Sequence, residues 1–152
     1  MPDLDLVIAP FRLEDQDAAR TLILAGLEER WGALDETLNP DLRDIARTFC
    51  EGLFLCAWHD GVLIGTGGWL SRGGDTAEIV RMSVARSVRR CGVGRRIAQA
   101  LLAEARCRGF RRIVLETTST WADAITFYRG LGFEITHHAG GDTYFVLEAL
   151  AG

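Results

Sequence analysis

A run of arginines and glycines near the middle of the chain is the segment best suited to chemistry. It reads Arg89-Arg90-Cys91-Gly92-Val93-Gly94-Arg95-Arg96 and lies between a strand-like apolar run and an amphipathic, helix-like pattern. Glycines let backbone N–H groups approach an anion, and the N-terminus of a helix favours negative charge. Arginines are unfavourable at that end of a helix unless an anion accompanies them. The segment therefore predicts a site for a phosphate-bearing ligand, with a solvated, arginine-rich helix start as the alternative.

Two common phosphate-binding loops do not fit this segment. A Walker loop requires a lysine, and the chain contains none. A dinucleotide-binding fingerprint requires a third glycine three residues after Gly94, where the chain has Ile97. The anion must be of another kind.

The elements that position this loop follow from hydrophobic periodicity and turn residues. The predicted order is β-α-α-β-β-β-α-β-α-β-β, with hairpins at Asp60-Gly61, at 71–75 and at Gly140-Gly141. This order predicts an α/β (α+β) fold with a mixed, mostly antiparallel sheet flanked by helices and one parallel crossover over 77–115. The predicted strands are 4–11, 53–58, 62–70, 77–84, 113–115, 133–136 and 144–147, and the predicted helices are 13–32, one opening at Asn39-Pro40-Asp41, one between the turn 85–94 and Gly109, and 121–131.

Composition limits the classes of protein that this chain can belong to. Its 152 residues are 48% hydrophobic and 25% charged, which predicts one globular domain over 1–152. No apolar run is long enough to span a membrane, and the acidic start, Met1 to Asp5, does not resemble a signal peptide. The four cysteines form no Cys-x-x-Cys pair, which predicts reduced thiols and no metal site. A cytoplasmic location is the expectation.

Charge is divided unevenly along the chain. Residues 1–60 carry five arginines and thirteen acidic residues, whereas residues 81–112 carry ten arginines and one glutamate. This division excludes a uniformly basic, nucleic-acid-coating protein. The arginines cluster around one turn and one helix without a base-reading motif, so no nucleic-acid partner is predicted.

Two motifs in the second half of the chain resemble those of one enzyme superfamily. Arg89-x-x-Gly92-x-Gly94, following the strand 77–84, resembles the acyl-CoA loop of the GNAT superfamily of N-acetyltransferases. The later Ala124-x-x-Phe127-Tyr128-x-x-x-Gly132-Phe133 resembles the fourth-helix motif of that superfamily, and the resemblance extends over about residues 53–147. It implies an N-acetyltransferase that uses acetyl-CoA, acting by direct attack of an amine in a ternary complex.

The resemblance also implies a set of cofactor-binding residues. The diphosphate would lie on the N–H groups of 90–95 between arginines, and the backbone of the preceding strand would pair with pantetheine. Because the family transfers the acyl group directly, Cys91 is expected to be a small residue of the loop and not a nucleophile. The implied residues are Met82, Ser83, Val84, Arg89, Arg90, Cys91, Gly92, Val93, Gly94, Arg95 and Phe127.

Tyr128 and Glu78 are the predicted acid and base. The departing thiolate needs a proton, and a tyrosine of ordinary pKa ~10 can supply it to a thiol of pKa ~8.5 at modest cost. Glu78 matches a strand glutamate that some family members use to deprotonate the amine. The alternatives are an aromatic that packs the sheet together with Phe127, and a glutamate paired with an arginine. The family often has Asn where this chain has Trp121, so the pantetheine contact there is expected to differ and to involve 118–120.

The sequence leaves more than one class of acceptor open. The resemblance places it beside residues 13–52 and the hairpin 53–75, where acidic residues accompany Trp31, Trp58 and Trp69. Acidic and aromatic side chains suit a cationic amine of a small molecule or peptide, although the same features are also typical of a solvated surface and a core. An acceptor carboxylate held by Arg72 or Arg81 is a second possibility, a homodimer is left open, and the rival function is a non-catalytic acyl-CoA-binding regulatory module.

Overall fold

Seven strands form one sheet that has helices on both faces. The computed structural model describes residues 4–32 and 39–148, with the strands in the spatial order β1-β2-β3-β4-β5-β7-β6. The predicted fold class and element order are confirmed. Residues 1–3, residues 33–38 of the predicted acceptor region and residues 149–152 lie outside the described part. The strands are β1 Val7–Pro10, β2 Leu53–His59, β3 Val62–Ser71, β4 Thr76–Val84, β5 Arg112–Thr118, β6 Glu134–Ala139 and β7 Asp142–Glu148, and the helices are α1 Gln16–Trp31, α2 Ile45–Thr48, α3 Val93–Cys107 and α4 Ala122–Gly130.

Several element boundaries differ from the predicted ones for physical reasons. The first strand begins at Val7 and not at Leu4. The helix predicted after Asn39 is split into a 3-10 helix at Pro40–Arg43 and α2, because Asp44 leaves helical geometry and caps α2 by accepting a bond from the Arg47 N–H at 3.1 Å. β5 is longer than predicted because it pairs with β7 along its whole length.

Two apolar clusters lie on opposite faces of the sheet. Trp69 belongs to the cluster beneath α3 and α4 and is 1% exposed, with its indole N–H donating to the Leu101 carbonyl at 3.2 Å. It is therefore a core residue, as one of the sequence alternatives proposed. The second cluster joins α1 and α2 to β2, β3 and β4 and includes Ile23, Ile45 and Phe54. Within the described residues, no helix is both long and apolar enough to cross a membrane.

Glycines on β3 let α3 approach the sheet closely. A Cβ added at Gly65 would lie 2.7 Å from Ile97 Cδ1, and one at Gly67 would lie 2.5 Å from Met82 Sδ and 2.8 Å from Ile97 Cγ2. Any side chain at these positions would push α3 or β4 away. The two glycines therefore bring the first turns of α3 directly against β3 and the neighbouring Met82 of β4.

β4 and β5 are parallel and pair over only three rungs. These are Thr76–Arg112, Ala77–Ile113 and Glu78–Val114. Both strands continue past the last rung, β4 to Val84 and β5 to Thr118, and β5 there pairs with β7 alone. We call the opening between 79–84 of β4 and 115–118 of β5 the wedge. It lies at the carboxyl ends of two parallel strands, where ligands bind in α/β sheets.

Candidate functional site

A bulge in β4 shapes one wall of the wedge. The register between β3 and β4 shifts between Thr66 and Gly68, and Arg81 adopts a left-handed φ of +56°, which is rare for a residue with a side chain. The Thr66 hydroxyl donates to the Arg81 carbonyl at 3.0 Å. The Arg81 guanidinium donates to both Asp41 oxygens at 2.8 and 2.7 Å. These bonds hold the bulge from both sides and set the course of residues 82–84.

Arg81 was considered from the sequence only as a partner for an acceptor carboxylate. The structure uses it to anchor the bulge, with Asn39 accepting a further bond from it at 3.1 Å. The signal that could have located the bulge is Gly65-Thr66-Gly67-Gly68 on the neighbouring strand, because clustered strand glycines often mark irregular pairing.

The loop between β4 and α3 presents backbone amides that donate to no group within the described residues. Arg90 and Gly92 have left-handed φ values of +64° and +82°, and α3 begins at Val93 with Gly92 as its N-cap. The first helical bond runs from the Arg96 N–H to the Gly92 carbonyl at 3.1 Å, so the amides of 92–95 have no partner within the helix. The Cys91 N–H donates to the Val88 carbonyl at 3.3 Å. Of the amides predicted over 90–95, that of Cys91 is thus already engaged.

The arginines around this loop have different partners. Arg89 donates two bonds, at 2.6 and 2.9 Å, to the carboxylate of Glu29 on α1, and these bonds hold the pKa of Glu29 below its ordinary value. Arg90 and Arg95 are exposed at the start of α3. Arg96 donates to the Leu4 carbonyl at 3.1 Å, away from the loop.

Gly94 brings three elements together at the wedge. A Cβ added there would lie 3.4 Å from the Phe127 ring on α4 and 3.6 Å from Val84 Cγ2 on β4. The absence of a side chain keeps the first turn of α3 close to both neighbours. Val84, Gly94 and Phe127, one predicted cofactor residue from each of the three elements, are therefore adjacent in space.

Tyr128 lies on the α3–α4 face of the sheet, next to the wedge. Its side chain is buried, and its ring centroid lies 5.1, 6.0 and 5.8 Å from those of Phe127, Phe133 and Phe145. Phe145 pairs with Leu115, the first β5 residue beyond the last β4 rung. Burial raises the pKa of Tyr128, and Arg30 opposes this shift.

Glu78 lies at the last rung of the β4–β5 ladder, on the opposite face from Tyr128. Its neighbours along the strand, Ala77 and Ile79, are buried in the cluster that contains Tyr128, and strand side chains alternate between faces. The Glu78 carboxylate accepts a bond from the Arg72 Nε at 2.6 Å. This is the glutamate–arginine pairing that the sequence left as the alternative. The predicted acid and base thus flank the start of the wedge from two faces.

The end of α1 is fastened to the start of α4 by contacts that the sequence did not reveal. Arg30 donates to both oxygens of Asp123 at 3.1 and 2.7 Å, and its guanidinium lies 4.4 Å from the Trp121 ring centroid. Trp31 packs on the same ring at 5.4 Å. Trp121, which departs from the family pattern, is the N-cap residue of α4 and packs against α1. We call these four residues the α1–α4 clasp.

Of the cysteines, Cys91 lies in the loop before α3 and Cys56 lies in the core. Cys91 is half-buried in the loop, and burial raises the pKa of the Cys56 thiol to about 12. In the segments 4–32 and 39–148, no group of three or more His, Cys, Asp or Glu side chains could hold a metal ion.

The family can now be assigned. Residues 17–133 match the model of the acetyltransferase (GNAT) family. The chain belongs to this family. The resemblance predicted from the loop and the fourth helix is therefore confirmed, and acetyl-CoA is the acyl donor that GNAT acetyltransferases use.

Relatives and solved structures agree with the GNAT assignment. The chain is 31% identical over 108 residues to a probable N-acetyltransferase camello of Xenopus tropicalis, covering 68% of this chain and 49% of that protein. It is 34% identical over 110 residues to an uncharacterized N-acetyltransferase, YjgM, of Escherichia coli K12, covering 69% of this chain and 66% of that protein. The chain thus spans about half to two thirds of the length of these curated relatives.

The GNAT fold is shared with crystal structures of low sequence identity. A GNAT acetyltransferase of Staphylococcus aureus Mu50 superposes with a TM-score of 0.88 at 17% identity, covering 97% of this chain and 100% of the other. The PaiA N-acetyltransferase of Thermoplasma acidophilum, solved in complex with coenzyme A, gives 0.83 at 17% identity, covering 95% and 99%. At this identity the likeness establishes the fold alone.

Proposed function

We propose that the chain transfers the acetyl group of acetyl-CoA to a primary amine of a small molecule or peptide, by direct attack of the amine in a ternary complex. The observation that carries this proposal is the wedge. At its mouth lie a glycine loop and the four amides of 92–95, which have no partner in segments 4–32 and 39–148. An opening between parallel strands suits an extended arm, and the amides suit a diphosphate. A cytoplasmic location and a single domain over 1–152 remain predictions.

The residues at the wedge fit acetyl-CoA. The amides of 92–95 and the exposed guanidinium groups of Arg90 and Arg95 would hold the diphosphate, and Arg89 would join them after leaving Glu29. Gly92 has open space where a Cβ would be, so a ligand can approach the backbone there. The β4 backbone at Met82, Ser83 and Val84 has no β5 partner and would bind the pantetheine arm.

Acid–base chemistry at the wedge is assigned to two residues. Bound acetyl-CoA supplies a thioester whose carbonyl carbon is electrophilic. The amine nitrogen bonds to that carbon, the C–S bond breaks, and Glu78, directly or through water, takes the proton that the nitrogen loses. Tyr128 donates its proton to the departing sulfur. Its raised pKa makes this transfer costlier than at the ordinary value, but it also keeps the phenol protonated and ready to donate.

Titration calorimetry with acetyl-CoA tests the binding half of the proposal. We expect micromolar binding that Gly92→Trp abolishes, because an indole at the loop would block the amides. Gly109→Trp is the matched control: Gly109 has a φ of +89°, close to the +82° of Gly92, and open space around it, but it lies at the far end of α3. The control isolates the backbone strain of a tryptophan at positive φ. Absence of binding to the unmodified chain would remove the proposal.

Release of free CoA thiol in the presence of primary amines tests the transfer half. We expect release that depends on both acetyl-CoA and amine, and that falls in Glu78→Gln with loss of the acid limb of its pH profile. A Glu78→Gln variant that kept the acid limb would remove Glu78 from the mechanism. Binding of acetyl-CoA without transfer to any amine would instead support the non-catalytic acyl-CoA-binding module.

A further inference from the structure

A cavity opens on the sheet face opposite Tyr128, at the start of the wedge. It has a volume of about 360 Å³, and β4, β5, β6 and β7 all contribute to it. The last β4–β5 rung, Glu78–Val114, forms part of its lining. A cavity of this size lies at the small end of the range for ligand sites. Its floor therefore adjoins the point where a thioester in the wedge would meet an acceptor.

The cavity exists because the helices on this face stop short of it. The cluster under α1 and α2 includes residues of β2, β3 and β4, and among the described residues it includes none of β5, β6 or β7. On β5 and β7 the side chains of Val114 and Val146 face outward and are half-buried. They give the cavity an apolar floor without a covering helix.

An aromatic ring and a carboxylate stand side by side in this cavity. Tyr144 pairs with Glu116 across β5–β7 and with His137 across β6–β7. The pairing across β5–β7 places the Tyr144 and Glu116 side chains next to each other. Hydrogen bonding to Glu116 and the charges of Glu116, Asp142 and Glu78 raise the pKa of Tyr144. The His137 ring stacks on Tyr144 with centroids 4.4 Å apart and planes 6° from parallel. The stack fixes the orientation of the phenol ring.

The charges on this face favour a cation. Of the arginines near the cavity, Arg112 lines it and pairs with Glu148 at 3.4 Å. Arg72 pairs with Glu78, another lining residue, at 2.6 Å. Among the described residues Glu116 forms no ion pair with an arginine, and its cross-strand neighbour on β7 is the phenol of Tyr144. Glu116 can therefore accept a further bond from an ammonium group, and the adjacent ring offers a cation–π contact.

We propose that this cavity is the acceptor pocket and that it selects a small amine bearing a second positive charge, with that charge held by Glu116 and Tyr144. The methylene chain of the acceptor would lie on Val114 and Val146, while its other nitrogen faces the wedge. The inference rests on the proposed function, because the wedge must deliver the acetyl group next to the cavity. It places the selecting residues on β5 and β7, outside the regions 13–52 and 53–75 expected from the sequence.

Three probes of equal chain length test this selection. They are 1,5-diaminopentane, n-pentylamine and 5-aminopentanoate, whose far ends are cationic, apolar and anionic. Binding of each to the CoA-loaded chain is measured by calorimetry, and transfer is measured by thiol release. We expect the diamine to bind at least about tenfold more tightly than n-pentylamine, and Glu116→Gln to remove that difference while leaving CoA affinity unchanged. Glu134→Gln is the matched control, since Glu134 lies on the same face, paired with Val146, but does not line the cavity.

The outcomes separate this inference from the proposed function. Diamine binding that depends on Glu116, without any transfer, would support the cation site and count against the transferase activity. Transfer without a preference for the diamine, or with a preference that Glu116→Gln leaves intact, would overturn the cation site alone. No diamine binding, or an equal loss in Glu134→Gln, would also overturn it.

Discussion

Tyr128 combines a buried ring with a hydroxyl group that its three aromatic neighbours cannot satisfy. A phenylalanine would pack equally well among Phe127, Phe133 and Phe145, so packing explains the ring but not the oxygen. The proposed role of proton donor supplies a reason for the oxygen.

Tyr128→Phe tests that role. We expect kcat to fall by about 10²-fold with little change in the KM for acetyl-CoA, because the substitution removes a proton donor and keeps the ring. Since burial raises the pKa of Tyr128, its deprotonation should impose no alkaline limb on kcat below about pH 10. Thermal melting of the variant is the control for folding. A fall of less than about threefold would remove Tyr128 as the acid.

At the scale of elements, α1 bridges the two sides of the wedge mouth. Its last turn binds the loop before α3 through Glu29–Arg89 and the start of α4 through the α1–α4 clasp. Glu29 and a diphosphate would compete for the same guanidinium group. If the loop binds a diphosphate as proposed, the position of α1 is therefore coupled to its occupation.

Glu29→Gln tests this competition. We expect the affinity for acetyl-CoA to rise by about two- to fivefold, because Arg89 is released and a carboxylate is removed from the vicinity of the phosphates. The control is Glu28→Gln, which removes the same charge from the same turn of α1 without touching the Arg89 pair. Calorimetry measures both variants. A lower affinity in Glu29→Gln would mean that Glu29 positions Arg89 for the ligand instead of competing for it.

At the scale of the whole molecule, the uneven charge of the sequence becomes a set of ion pairs between distant segments. Asp41 binds Arg81, Glu29 binds Arg89, and Arg30 binds Asp123. Each pair joins the α1–α2 layer to the sheet, the loop or α4. Two of the ten arginines of residues 81–112, Arg81 and Arg89, are thus paired with acidic residues of the first half of the chain.

The pH dependence of stability tests these long-range pairs. The bonds from Arg30 hold the pKa of Asp123 below its ordinary value of 3.8. A carboxyl with a lowered pKa in the folded state stabilises the fold above its unfolded pKa, and this contribution disappears as the pH falls through the folded pKa. We therefore expect Asp123→Asn to lower Tm by about 1–3 °C at pH 7, but to have no effect at the lowest pH at which the chain still folds.

The control for these melting curves is a second aspartate-to-asparagine variant, measured across the same pH range. Asp75→Asn changes the same residue type in the exposed β3–β4 hairpin, where the Asp75 side chain forms no ion pair with any described residue, and it should leave Tm unaltered at every pH. If Asp123→Asn lowered Tm equally at pH 7 and at low pH, the pairing with Arg30 would not be the cause of the effect.

The cofactor side of the site was accessible from the sequence because it is local. A glycine loop, its arginines and the following helix are consecutive in the chain, so Gly92, Gly94 and Arg95 could be predicted as cofactor residues from spacing and then from the family motif. The fold class was accessible for the same reason, since hairpins and periodic runs are also local patterns. Phe127 and Tyr128 followed from the second motif.

The contacts that only the tertiary structure decided are made between residues far apart in the chain. Three sets of contacts join segments that no local sequence pattern links. They are the pairing of Arg81 with Asp41, the α1–α4 clasp, and the cross-strand pairs that place Tyr144 beside Glu116 and His137. Cross-strand register places such side chains together, and it is determined by the packing of the whole sheet. The sequence alone thus determined the family and the fold and predicted the donor loop, because these depend on local patterns. Folding decided which acidic and aromatic side chains meet at the proposed acceptor pocket, because cross-strand register depends on the whole sheet.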